Sequence, residues 1–171
     1  DFLPEAGGSG RSTSWPDDPT APGNAAIRVR RLHVAGPADD DAPLTMQAPL
    51  SIVADYSIKE PLRVHLTCHL INEQGIVAFT TGAPTQLHSP GHYRARCHIP
   101  ADLLNSGQYS VNLLVVEDSS HVVCTREQAV GFEVIDAGAR EGTWYGREPG
   151  VVQPRLRWEV SPVDAASATA P

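Results

Sequence analysis

The sequence predicts an all-β fold, an antiparallel immunoglobulin-like β-sandwich, with an antiparallel β-barrel as the alternative. Three observations carry this reading. Apolar and polar residues alternate with period two along several short runs, the pattern of strands buried on one side only. Pro, Gly, Asn, Asp and Ser cluster between those runs, and 15 prolines and 14 glycines supply many turns. A helical period takes over almost nowhere.

The most regular stretch runs from Gly107 to Asp136. Tyr109, Val111, Leu113 and Val115 point one way, and Ser110 and Asn112 the other. Asp118-Ser119-Ser120 supplies turn chemistry, and Val130, Phe132 and Val134 share a face of the run that follows. Two alternating runs joined by a polar turn predict a hairpin, the spine of the sandwich.

The other elements follow in chain order. Residues 1–24, with GGSG at 7–10 and prolines at 4, 16, 19 and 22, read as a flexible linker from an upstream domain. Trp15 is the one residue there suited to docking on the folded part. Ile27 to Val34 is the first strand. Ile27 and Val29 share a face while Leu32 and Val34 fall on the opposite parity, a phase slip that a bulge near Arg30-Arg31 would repair, an edge strand with one ragged end being the alternative. GPADDDAP at 36–43 lacks the ligand spacing of a calcium loop and reads as a solvated turn. Leu50 to Ile58 directs Leu50, Ile52, Ala54 and Tyr56 inward, and Ser51, Val53, Asp55 and Ser57 outward. Leu62 to Asn72 buries Val64, Leu66, Cys68 and Leu70 and exposes Arg63, His65, Thr67 and His69. Glu73-Gln74-Gly75 turns it into a partner strand, Ile76 to Thr81, and 82–91 is a loop. His92 to Ile99 turns Tyr93, Ala95, Cys97 and Ile99 inward and His92, Arg94, Arg96 and His98 outward. Ala101 to Gly107 fits one helical turn closed by Gly107. A Gly-rich connector carrying Trp144 and Tyr145 leads to a last strand, Val151 to Val160, so the folded domain is expected over 25–160 and a disordered tail over 161–171.

Several function classes drop out. A net charge of −7 argues against nucleic-acid binding. No apolar run reaches the roughly 20 residues of a membrane helix, so direct membrane insertion is not expected. There is no phosphate-binding loop, no dinucleotide glycine pattern and no GxSxG elbow, hence no sign of an enzyme or a cofactor. His65 and His69 lie about 13 Å apart along one strand, too far to share a metal ion. Cys68, Cys97 and Cys124 are odd in number, and the first two fall on apolar strand faces. They read as reduced core thiols in a cytoplasmic setting, an oxidised Cys68–Cys97 pair being the alternative. A start without Met and without a signal peptide is expected of a domain cut from a longer protein.

The polar faces are the place to look for binding. If the strands 62–72 and 107–117 are neighbours, His65, Thr67, His69, Ser110 and Asn112 gather on one shallow patch. Imidazoles, hydroxyls and an amide are the groups that hydrogen-bond sugar hydroxyls. Phe79, Trp144, Tyr145 and Trp158 are the aromatics available to stack on a pyranose, with Trp144 and Tyr145 placed to wall the patch. The plain alternative is an ordinary wet sheet face; if the other sheet is the site, Arg94 or Arg96 would discriminate a terminal charged group.

The run SPGHYRARCHIPADLLNSGQYSVNLLVVED, followed by VGFEVIDAG and PRLRWEV, resembles the C-terminal domain of Wzt-type ATPase subunits of ABC transporters that export O-antigen and related polysaccharides. The entry WPDDPTAPGNAAIRVRRLHV is similar too, so the likeness covers Trp15 to Val160. Its most specific piece is IP-x-x-L-L-x-x-G-x-Y, here Ile99, Pro100, Leu103, Leu104, Gly107 and Tyr109. The resemblance implies a non-catalytic carbohydrate-binding domain that recognises the modified end of a polysaccharide. It further implies an upstream ATPase domain, a transporter membrane subunit, a homodimer formed by exchange of the C-terminal strand, and a place at the cytoplasmic face of the bacterial inner membrane. Ligand contacts in the family sit on variable surfaces, so none transfers residue by residue. The rival readings are an immunoglobulin-like structural or adhesive module without a sugar ligand, and a glycan-binding accessory domain of an extracellular enzyme.

Overall fold

The computed structural model describes residues 10–138 and 147–163, and among these there are ten strands and no helix. They are β1 (Ser12–Ser14), β2 (Ile27–Ala35), β3 (Leu44–Thr45), β4 (Leu50–Ile58), β5 (Leu62–Asn72), β6 (Val77–Gly82), β7 (Gln86–His88), β8 (Gly91–Ile99), β9 (Gly107–Glu117) and β10 (His121–Ile135). One sheet has the order β1-β2-β4-β8; the other runs β3-β10-β9-β5-β6, with β7 on the far part of β5. Every pairing is antiparallel except the short β3 on β10. The neighbours β2-β4-β8 and β10-β9-β5-β6 correspond to A-B-E and G-F-C-C′ of immunoglobulin-like sandwiches.

Alternation builds the core as expected. Ile27, Val29 and Leu32 of β2 and Ile52 of β4 face Val64 and Leu70 of β5, Val111, Leu113 and Val115 of β9, and Phe132 and Val134 of β10, all 4% exposed or less. Each such side chain contributes about 1.5–3 kcal/mol by leaving water. The β9–β10 hairpin turns at Asp118 and Ser119, both at positive φ (50° and 67°), with Ser120 N–H bonded to Glu117 O. The bulge in β2 is present: the register with β4 slips between Val29 and Arg31. Val29 and Leu32 both remain buried, so the two residues between them, Arg30 and Arg31, share the outer face.

Five expectations change. Within the expected linker, residues 12–14 pair with β2, and Trp15 exchanges hydrogen bonds with Arg30 and packs on the core. Proline content prevented long pairing but not a three-residue strand. The Pro-Gly-Asn that follows is a structural corner: Asn24 Oδ1 accepts from Ala26 and Ile27 N–H, and a Cβ on Gly23 (φ 131°) would sit 2.0 Å from Ile27 O. The loop 82–91 contains β7, which completes the edge of β5. Val53, on the outward parity of β4, is fully buried because its cross-strand neighbours His33 and Arg96 flank it.

The other two corrections concern the far end of the sandwich. Residues 101–107 form no helical turn; Asp102 takes a φ of 60° and its N–H bonds Met46 O. The tyrosine at the start of β9 closes this corner, its hydroxyl 2.7 Å from Asn105 O, the tyrosine corner of immunoglobulin-like folds. Asn105, 2% exposed, donates to Glu148 O and Gly150 O and accepts from Ser106 N–H. The chain after the connector is thereby stitched on through Val152, which bridges Leu104. Val151 to Val160, expected as a strand, pairs with no sheet among the described residues beyond that bridge; Leu156, Trp158 and Val160 are 71%, 85% and 93% exposed.

Candidate functional site

The strands β5 and β9 are neighbours, which brings the predicted polar residues onto one outer face. His69 lies directly opposite Asn112; Thr67 faces Leu114, His65 faces Val116, and Ser110 faces Ile71. The patch is therefore a checkerboard in which Ile71, Leu114 and Val116 alternate with the polar groups. Gly82 of β6 lies across from Thr67, and a Cβ there would come within 2.7 Å of Thr67 Oγ1. The missing side chain lets the Thr67 hydroxyl lie close against that backbone.

Two of the five residues have structural partners. Thr85 Oγ1 lies 2.6 Å from His65 Nδ1, and Ser119 Oγ donates to Thr85. Asn112 Oδ1 accepts the backbone N–H of Gln128, a residue at φ 47° in the bulged part of β10. Thr67, His69 and Ser110 make no side-chain hydrogen bond among the described residues, so their donors and acceptors are open there. Trp144 and Tyr145 lie outside the described residues. Phe79 packs against the core, and Trp158 is exposed at the chain's far end.

A cleft of about 400 Å³ opens between β8 and the β6–β7 edge, lined in part by Thr81, Cys68, Cys97, Tyr56, His88 and Tyr93. His88 Nδ1 donates to Gln86 O, and its Nε2 lies 2.8 Å from the Tyr56 hydroxyl. Burial pushes the Tyr56 phenol above its ordinary value. Both Cys68 and Cys97 are free. Burial, with Cys97 nearby, pushes the Cys68 thiol up to about 12, which leaves it protonated and a poor nucleophile. Among the described residues no three His, Cys, Asp or Glu side chains converge on a point where a metal ion could sit.

No protein-family model matches the sequence, and no curated protein does. Among solved structures the chain is similar to the crystal structure of the C-terminal domain of Wzt, with a TM-score of 0.62 over 81% of this chain and 86% of that one. The fold is that of the Wzt C-terminal domain. Identity between the two is 14%, low enough that side chains on the surface cannot be matched pair by pair.

Sequence reasoning reached the outer face of the other sheet only as an alternative, through Arg94 or Arg96, and missed the company these two keep. The signal was the Arg30-Arg31 pair at the phase slip: a bulge that repairs the apolar register sets two consecutive arginines on the same side.

Proposed function

We propose that this chain is a non-catalytic carbohydrate-binding domain that recognises the modified end of a polysaccharide of O-antigen type for export by an ABC transporter. The observation that carries the reading is the fold likeness to the Wzt C-terminal domain over most of both chains. The chemistry of the β5–β9 face supports it, with unpartnered Thr67, His69 and Ser110 above a framework held by His65 and Asn112. Trp144 and Tyr145 are proposed to wall the same patch. Each sugar hydrogen bond competes with water and contributes about 0.5–1.5 kcal/mol. Affinity is therefore weak, on the order of micromolar to millimolar. In the full-length protein the domain follows an ATPase domain, works with a membrane subunit and acts at the cytoplasmic face of the inner membrane. Affinity electrophoresis through gels containing purified O-polysaccharides tests this. Retardation of the chain by at least one of them, reduced in His69→Ala, is the expected result. No retardation by any, or release of sugar from any, overturns it.

The same reading includes a homodimer in which residues 151–160 are exchanged. Leu156, Trp158 and Val160 share one parity and are left in solvent, while β8 ends its sheet with an edge that is unpaired among the described residues, beside the cleft. A free edge and an unpaired apolar segment favour strand addition. Light scattering should give twice the chain's mass, and truncation after Gln153, which keeps the Val152 bridge, should halve it. A parent that stays monomeric at high concentration contradicts the exchange.

A further inference from the structure

The outer face of the β1-β2-β4-β8 sheet is a trough. Its floor is the row of short side chains on β4: Ser51, Val53, Asp55 and Ser57, all but Asp55 buried. Its walls come from the strands on either side, in register. His33 and Arg96 flank Val53, Arg31 and Arg94 flank Asp55, and Arg28 and His92 flank Ser57. The β2 bulge adds Arg30 to the same wall. A shallow depression of about 500 Å³ lies here, lined by Arg30, Asp55, His92 and Arg94 together with Tyr56 and Tyr93.

The charge on this face runs against the rest of the molecule. A chain with a net charge of −7 gathers five of its arginines on one sheet face. The acids among or beside them are Asp55, Asp17, which pairs with Lys59 and Arg30, and Asp40, whose charge acts on His33. Asp55 is taken by Arg94, Nε to Oδ1 at 2.6 Å and Nη2 to Oδ2 at 3.1 Å. Arg28, Arg30 and Arg31 each use one nitrogen on Ala21 O, Trp15 O and Ser12 Oγ, which fixes the side chains and leaves further N–H groups open. His92 meets Ser57 Oγ through Nδ1. Arg96 has no hydrogen bond or ion pair among the described residues, and His33 Nδ1 is buried without a partner. Like charges held this close repel one another unless an anion lies between them.

We infer that this trough is a second carbohydrate subsite, which takes the acidic groups of an anionic glycan through Arg96, Arg31 and the Arg94–Asp55 pair. Arginine forks bind carboxylate and other oxyanions with two parallel bonds. Ranks two residues apart on β4 repeat at about 6.6 Å, a spacing that lets neighbouring charges of an extended chain be met in turn. The inference rests on the carbohydrate-binding reading but concerns the opposite sheet face from the β5–β9 patch.

The test is an NMR titration of the 171-residue chain with tetragalacturonate and, separately, with neutral maltotetraose. Tetragalacturonate should shift the amide signals of Val53, Ser57, Arg94 and Arg96 saturably, and about tenfold more weakly at ~0.5 M salt, where exposed charges are screened. Arg96→Gln should lower the affinity about tenfold, Arg96→Lys less, and Arg31→Gln/Arg96→Gln further, with melting temperature recorded for each. Shifts confined to the β5–β9 face, an affinity no higher than that for maltotetraose, or full affinity in a folded Arg96→Gln would overturn the inference. None of those outcomes bears on whether maltotetraose perturbs His69 and Ser110, which reports on the carbohydrate-binding reading by itself.

Discussion

The two outer faces of this sandwich come from the same period-two rule, and on each some polar residues are held by neighbours while others stay open. On β5–β9, His65 braces the Thr85 loop and Asn112 holds the bulge of β10, with apolar Ile71, Leu114 and Val116 set between them. On β2–β4–β8, the long cationic side chains stand along the sides of a low floor, most of them held by a neighbour, and Arg96 has no hydrogen bond or ion pair among the described residues. Alternation tells which residues face outward. It does not tell whether an outward residue is occupied by its neighbours or open to a ligand, and that difference separates framework from binding surface.

If the β5–β9 face is framework-rich, perturbing it should cost stability. The largest loss is expected for Gly82→Ala, whose new methyl meets Thr67 Oγ1 at 2.7 Å; about 1–3 kcal/mol should disappear in denaturant titrations. Adding Thr67→Ala should restore part of it, because the two changes share one contact. Asn112→Ala removes the acceptor of Gln128 N–H and should cost about 1–2 kcal/mol. A value near zero there would mean that water replaces the bond freely and that Asn112 is available to ligand after all.

How much of this was readable beforehand depends on what fixes each feature. The parity of β5, β8 and β9 follows from short-range alternation, and their boundaries agree with the structure to within a residue. The bulge at Arg30-Arg31 was half legible: the phase slip pointed to it or to a ragged edge strand, and the pairing with β4 decides for the bulge. The stitched corner at Asn105 was not, since its bonds to Glu148 and Gly150 cross about forty residues of chain. Val53 could not be placed as buried on its outer parity without knowing that His33 and Arg96 flank it. The partners of His65 and Asn112 likewise lie on a loop and a bulge that alternation does not describe.

The β2–β4–β8 face should respond to charge rather than to volume. Arg94 holds the Asp55 carboxyl below its ordinary value of 3.8. A depressed carboxylate stabilises the fold above its unfolded value, and the contribution is lost as pH falls through the folded value. Asp55→Asn should thus cost about 0.2–1 kcal/mol at pH 7 for this half-exposed pair, with parent and variant converging in acid. His33 is shifted down from 6.5, first by burial and then by Arg31. The unfolded chain takes up its proton first as pH falls below 6.5, so stability should decline there, and His33→Gln should flatten that part of the pH–stability curve. The smallest effect is expected for Arg96→Gln, within about 0.5 kcal/mol of the parent in stability.

The division between the faces is tested most directly by probing one microarray of neutral and acidic bacterial polysaccharides with the parent chain, His69→Ala and Arg96→Gln. The account predicts that the parent binds members of both classes, that Arg96→Gln loses the acidic ones selectively, and that His69→Ala weakens the neutral ones. A parent that binds no polysaccharide, or two variants that both keep the parent's full pattern, would contradict it.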